Sequence, residues 1–115
     1  MMIRGDVYQA NLDPTEGSEQ AGKRPVLIVS RDGINRSSPV IVIVPLTKFL
    51  SRKKIYPSHH LLKASAENGL KTDSIVKCEQ IRAIAKSRLS NKLGKVNTKD
   101  LEKIDRTLKI VLSLK

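Results

Sequence analysis

The sequence predicts a mainly β domain closed by one C-terminal α-helix, arranged as a small, partly open antiparallel barrel. Two observations carry this. Short alternating or apolar runs, about five to seven of them, are punctuated by Gly- and Pro-containing turns. Only the C-terminal stretch repeats its apolar residues at clear helical spacing. With 115 residues and no repeat, low-complexity stretch or linker, the chain is expected to be one domain spanning residues 1–115.

The first strand runs from Arg4 to Leu12, where Tyr8, Ala10 and Leu12 alternate with Val7, Gln9 and Asn11, and Asp13-Pro14 ends it. Residues 15–24 form a polar loop in which Gly17 and Gly22 are free to adopt positive φ. Pro25 opens the next strand, whose run Val26-Leu27-Ile28-Val29 has no polar face and is expected to be buried on both sides. Residues 31–39 read as a turn-rich connection, and Val40–Val44 as another buried strand closed by Pro45-Leu46-Thr47. A basic loop follows from Lys48 to Pro57. Ser58–Lys63 and Asp73–Lys77 are short strands joined through a turn at Asn68-Gly69, and Glu79–Ala85 continues the sheet after a bend. Residues 86–96 read as short, basic and irregular. Asn97 or Thr98 then caps a helix whose Leu101, Ile104, Leu108, Val111 and Leu112 form the core stripe, with Glu102, Lys103, Arg106 and Lys109 toward water.

Composition narrows the function classes. One cysteine, Cys78, excludes an intrachain disulfide, and the lack of a Cys/His cluster argues against structural zinc. No apolar stretch reaches the about 20 residues of a membrane helix, and the N-terminus lacks the hydrophobic core of a signal peptide, so a cytoplasmic protein without a membrane partner is expected. The net charge is +11. It is unevenly placed: residues 1–30 hold three Lys/Arg against four Asp/Glu, whereas residues 31–115 hold nineteen against seven. A field of this kind concentrates polyanions, nucleic acid first and acidic protein segments second; the plainer reading is a solubilising surface.

Chemistry concentrates in Gly17-Ser18-Glu19-Gln20-Ala21-Gly22-Lys23-Arg24-Pro25, a Gly-bracketed loop that brings a carboxylate, an amide and a guanidinium to the start of a buried strand. The 48–57 loop supplies Lys48, Arg52, Lys53 and Lys54 beside Phe49 and Tyr56, cations for a phosphate backbone and rings for stacking on bases; a solvated loop whose aromatics cover the core edge fits equally. His59 and His60 are adjacent in a strand, point to opposite faces and are no catalytic pair. Cys78 has no neighbour pattern of a nucleophile and reads as a small buried side chain.

Arg4-Gly5-Asp6-Val7-Tyr8, Leu12-Asp13-Pro14-Thr15, Gly17-Ser18-Glu19-Gln20, Gly22, Arg24-Pro25-Val26-Leu27, Val44-Pro45-Leu46-Thr47 and Glu79-Gln80-Ile81-Arg82, in this order and spacing, resemble the MazF/PemK family of toxin endoribonucleases. The resemblance runs from Arg4 into the terminal helix. It implies an SH3-like barrel that forms a homodimer, cleaves single-stranded RNA (mRNA) without a metal or other cofactor, and is neutralised by a cognate acidic antitoxin. The family's catalytic arginine and threonine match Arg24 and Thr47, and its loop glutamate matches Glu19. Members most like PemK use a basic residue and an acid in a later strand, where this chain keeps the charges, with Lys77 and Glu79, but not the residue types. Lys48 stands where many relatives have a small residue. Ser18, Gln20, Lys48, Phe49, Arg52, Lys53, Lys54, Lys77, Glu79 and Gln80 are the residues expected to touch RNA.

Cleavage of RNA by its own 2′-hydroxyl needs a proton acceptor, a stabiliser of charge on the phosphate and help for the departing 5′ oxygen. A guanidinium is a bidentate phosphate donor and a poor base, which suits Arg24 to the phosphate and the leaving group. Thr47 can donate to the phosphate or orient the hydroxyl, and Glu19 is the expected proton acceptor. Each residue also has a purely structural reading: Arg24 paired with Glu19 to stiffen the loop, Thr47 as a turn hydroxyl, Ser18 and Gln20 bonded to the loop backbone. Two other functions fit the same outline, a gyrase poison of the same barrel family that binds a protein and cleaves nothing, and a basic barrel that only binds nucleic acid.

Overall fold

The structure, a computed structural model, describes residues 2–52 and 54–115. Seven strands form one antiparallel sheet: β1 Asp6–Asn11, β2 Lys23–Ile28, β3 Val40–Lys48, β4 His59–Leu62, β5 Ser74–Lys77, β6 Arg82–Ala85 and β7 Leu89–Lys95. Helix α1 (Asp32–Ser37) lies between β2 and β3, and α2 (Thr98–Leu112) follows β7. The order is β4-β5-β3-β2-β1-β7, with β6 also on β3, and among the described residues β4 does not pair with β7, so the sheet is not closed.

Strand β3 explains the shape. Its first half, Val40 to Ile43, pairs with β6, and its last residues, Leu46 to Lys48, pair with β5. Pro45 falls between the two partners, where neither ladder asks for the N–H it lacks. Alternation along β2 and β3 then fills two cores. Leu27, Val44 and Leu46 join Val7, Leu62, Val76, Cys78, Ile104 and Leu108 on the face covered by α2. Val26, Ile28, Ile41 and Ile43 join Ala10, Leu12 and Ile84 on the other. The expectation of strands buried on both faces is met in Val26, Leu27 and Ile28, all at 0% exposure.

Several local expectations change. The 31–39 connection contains α1, which is stabilised by Asp32 in its first turn and Arg36 in its last, and by buried Asn35, whose Nδ2 donates to the Ser30 carbonyl at 2.8 Å. Residues 86–96 are not irregular: residues 89–95 form β7, because pairing with β1 supplies the order that their polar composition conceals. Lys23 and Arg24 belong to β2 rather than to the loop, opposite Asn11 and Ala10 of β1, and Thr47 lies within β3 rather than in a turn. Helix α2 begins as expected, with Asn97 Oδ1 accepting from the Asp100 N–H at 2.7 Å, and buries Ile104 and Leu108. Leu112, expected in the core stripe, is 47% exposed because it sits in the last turn, at the rim of a groove with Ile34 and Leu114.

The 63–73 connection crosses the open side of the sheet and covers the β7 edge. The Lys95 N–H donates to the Glu67 carbonyl at 2.9 Å. The approach is so close that a Cβ on Gly69 would stand 2.0 Å from the Leu93 oxygen, and one on Gly94 2.2 Å from the Glu67 oxygen. This backbone contact protects an edge that would otherwise offer free hydrogen-bonding groups.

Candidate functional site

Two neighbouring strands bring Arg24 and Thr47 together. The β2–β3 ladder ends at Val26 opposite Pro45, and from two residues earlier in β2 the Arg24 side chain reaches the carbonyl of Leu46, the neighbour of Thr47 in β3. The half-buried Arg24 guanidinium is held by backbone: Nε donates to the Ala21 carbonyl at 2.8 Å and Nη1 to the Leu46 carbonyl at 3.3 Å. Its other N–H groups have no partner among the described residues and are available to an anion. On its far side Thr47 faces Ile75 of β5, and Lys48 faces Ser74.

The loop between β1 and β2 is fastened at three places. At its base the Leu12 N–H donates to the Gly22 carbonyl at 3.0 Å, and Asp13 Oδ1 accepts from the Gly22 N–H at 2.9 Å. From below, Arg88 donates to the carbonyls of Asn11, at 3.2 Å, and Asp13. From the side, the Gln80 amide clasps the backbone on either side of Glu19: Nε2 donates to the Ser18 carbonyl at 3.3 Å, and Oε1 accepts from the Gln20 N–H at 3.4 Å. Gln80 sits in a single 3-10 turn, Cys78–Gln80, after β5.

The remaining sequence-predicted residues separate into groups. Glu19 is exposed and Oε1 accepts from the Glu16 N–H at 2.7 Å; among the described residues no ion pair joins it to Arg24, so the stiffening pair envisaged from sequence does not form. Ser18 and Gln20 meet Gln80 through their backbone atoms, which leaves their side chains uncommitted to that clasp. Glu79 is paired with His59 at 3.2 Å, and His60 with Asp100 at 3.2 Å, so the two histidines do diverge. Lys77 faces His59 across β4 and β5. Phe49 is half-buried, its N–H donating to the Asp73 carbonyl at 2.9 Å, whereas Arg52 and Lys54 are exposed, with the Lys54 ammonium 5.4 Å from the Tyr56 ring centre. Lys53 lies outside the described residues.

Cys78 is buried, and its thiol is pushed up to about 12 by burial first and then by the charges of Glu79 and Asp105. A thiol so held is no nucleophile at neutral pH. Among the described residues no group of three or more His, Cys, Asp or Glu is placed to hold a metal ion, and no helix is long and apolar enough to cross a membrane.

Thr47 and Lys48 also line a cleft of about 530 Å³, whose other walls come from β1, β7, Pro25 of β2, Leu46, residues 69–72 and Ser74. Sequence reasoning did not find Gln9, Lys71 and Asn91 in it, because they belong to three separate strands or loops and share no local motif. Gln80 was found, but as a residue for RNA rather than for the loop.

Comparisons with known proteins bear on the family and the fold. Residues 3–112 match the family described as "PemK-like, MazF-like toxin of type II toxin-antitoxin system". Endoribonuclease EndoA of Bacillus subtilis is 40% identical over 111 residues, covering 96% of this chain and 94% of the relative. Endoribonuclease MazF9 of Mycobacterium tuberculosis is 40% identical over 119 residues, covering 99% and 98%. Among solved structures, an endoribonuclease in complex with its cognate antitoxin from Mycobacterial species is 27% identical with a TM-score of 0.80, covering 100% of this chain and 98% of that one. MazF from Deinococcus radiodurans is 25% identical with a TM-score of 0.82, covering 98% and 97%. The mainly β fold with its C-terminal helix and the endoribonuclease class expected from sequence are both borne out by these likenesses. The chain belongs to the PemK-like, MazF-like toxins of type II toxin-antitoxin systems, and its curated relatives are endoribonucleases.

Proposed function

We propose that this chain is a sequence-specific endoribonuclease toxin of the mRNA-interferase type, working in the cytoplasm as one domain over residues 1–115. It cuts single-stranded RNA without a metal. The 2′-oxygen attacks the adjacent phosphorus, the bond to the 5′ oxygen breaks, and the products carry 2′,3′-cyclic phosphate and 5′-hydroxyl ends. The observation that carries this reading is the guanidinium of Arg24, fixed by two carbonyls beside Thr47 with N–H groups left for a phosphate.

Arg24 binds the scissile phosphate and stabilises the charge that grows on it, where preorganised donors act most strongly. Thr47 donates to a phosphate oxygen or orients the 2′-hydroxyl. Glu19, on the clasped loop, accepts the 2′ proton, and Arg24 stabilises the departing 5′ oxygen, which takes its proton from water. Ser18, Gln20, Lys48, Phe49, Arg52 and Lys54 line the path of the strand, with cations along the backbone and Phe49 against a base. Gln80 serves this site by holding the loop, while Glu79 and Lys77 stand beside His59 of β4.

The partners follow from charge and surface. A net charge of +11 favours a polyanion, and an acidic antitoxin tail that orders on binding would compete with RNA for the same groove. The relative solved with its cognate antitoxin supports that partner class. A homodimer is supported by apolar side chains left exposed, Ile34 at 40%, Leu112 at 47% and Leu114 at 60%, which a second copy would cover.

The test is to incubate pure protein with a long unstructured RNA in EDTA and to identify the new ends by mass spectrometry. Cuts at a defined sequence bearing 2′,3′-cyclic phosphate are expected. Intact RNA, or fragments ending in 3′-hydroxyl, would overturn the reading.

A further inference from the structure

The cleft beside Thr47 is built by an irregularity in the β1–β7 ladder. Tyr8 faces Lys92 and Ala10 faces Leu89, so Gln9 alone stands opposite both Ser90 and Asn91. Two residues against one is a β-bulge, a device that re-aims side chains. Here it brings Gln9 and Asn91 onto the same cleft, with Asn91 Oδ1 accepting from the Ser90 hydroxyl at 3.2 Å. A second shift lies between Val7, which faces Gly94, and Tyr8, leaving Leu93 as the extra residue, and Leu93 too lines the cleft.

The composition of the cleft is selective. Leu46, Leu70 and Leu93 supply apolar surface, Gln9 and Asn91 offer both donors and acceptors, and Lys48 and Lys71 are exposed lysines on its wall. Among the described residues no acidic side chain lines it. Its volume of about 530 Å³ suits a small flat ligand. A nucleobase has apolar faces, a hydrogen-bonding edge and an anionic phosphate attached, and each of those features has a counterpart here. An acidic peptide would satisfy the lysines but leave the paired amides without a purpose.

We infer that this cleft reads one unpaired base of the RNA strand beside the phosphate held at Arg24 and Thr47, with Gln9 and Asn91 hydrogen-bonding the base edge and Lys48 and Lys71 holding its flanking phosphates. The inference rests on the ribonuclease reading and adds to it the residues that select sequence.

The experiment separates the two. A pool of single-stranded RNA, randomised over nine positions and carrying 2′-fluoro groups so that it cannot be cleaved, is bound to the wild type, to Gln9→Ala and to Asn91→Trp, and the retained strands are sequenced. The wild type should enrich one base at one position, on the order of tenfold. Asn91→Trp, which fills the cleft, and Gln9→Ala, which only removes an amide, should lose that enrichment while keeping salt-sensitive binding. Gln9→Ala decides alone if the tryptophan variant does not fold. The same enriched sequence in Gln9→Ala as in the wild type would overturn the inference. So would a wild type that enriches no base, which would leave the cleft to a peptide partner. Cleavage is read separately on the matching all-ribose strand: base selection without cleavage would overturn the ribonuclease reading and leave the base pocket standing.

Discussion

Arg24 Nη1 donates to the Leu46 carbonyl at 3.3 Å, so the guanidinium is tied to the residue immediately before Thr47. The tie is between backbone and side chain across two neighbouring strands, and it fixes the guanidinium beside Thr47. Arg24→Lys keeps the charge but cannot reproduce the two carbonyl bonds and the remaining fork together. It is predicted to lose about 10²-fold or more in cleavage rate, with little change in RNA affinity. Single-turnover rates and filter binding on the same RNA check it.

Gln80 clasps the loop on both sides of Glu19. Replacing it with alanine removes two long hydrogen bonds, which is expected to cost about 1 kcal/mol of stability and to lower kcat about tenfold, with KM changing less. Gln80→Glu keeps the acceptor for the Gln20 N–H and should recover part of kcat. Faster hydrogen exchange at the Gln20 amide is the accompanying sign. Unchanged exchange and unchanged kcat in Gln80→Ala would show that the clasp does not position the loop.

Gly69→Ala and Gly94→Ala each force a Cβ into backbone of the opposite segment, at 2.0 and 2.2 Å. Neither backbone can move without opening the cover on β7. A loss of about 3 kcal/mol is predicted for each, read as a shift in the urea midpoint. Gly69 also has a φ of +70°, so its variant should be the worse of the two.

Cys78 gives a pH dependence with a definite sign. Its thiol ionises near 9.0 in the unfolded chain and near 12 in the folded one. The associated stability is therefore complete below pH 9 and is lost as pH rises from 9 to 12, where the unfolded chain has given up a proton that the native chain keeps. The slope contributed by this group is at most about 1.4 kcal/mol per pH unit. It should be absent from the same titration of Cys78→Ala. At pH 8 the native thiol should not react with a maleimide until urea unfolds the chain.

The parts of the fold visible in sequence were those with one dominant physical cause. Val26-Leu27-Ile28 has no polar face, so it is a buried strand, and Asn97 with Ile104 and Leu108 sets the cap and stripe of α2. Residues 89–95 were missed because only Leu89 and Leu93 carry an apolar signal, and the strand exists through its pairing with β1. In the candidate site, Arg24 and Thr47 stand out through local motifs on two adjacent strands, and the Leu46 carbonyl joins the two positions. The Gln80 clasp and the Gln9–Asn91 bulge do not, since each joins residues about 60 to 80 positions apart through a register that no local pattern encodes.

The central claim is that Arg24 and Thr47 act on one phosphate as a unit, and the most direct measurement is a cycle of cleavage rates for the wild type, Arg24→Ala, Thr47→Ala and the double variant on one defined RNA in EDTA. The account predicts a loss of about 10³-fold for Arg24→Ala and a double variant scarcely slower than that single one, because residues of one constellation do not add. Arg24→Ala cutting the same bond at the wild-type rate would contradict it.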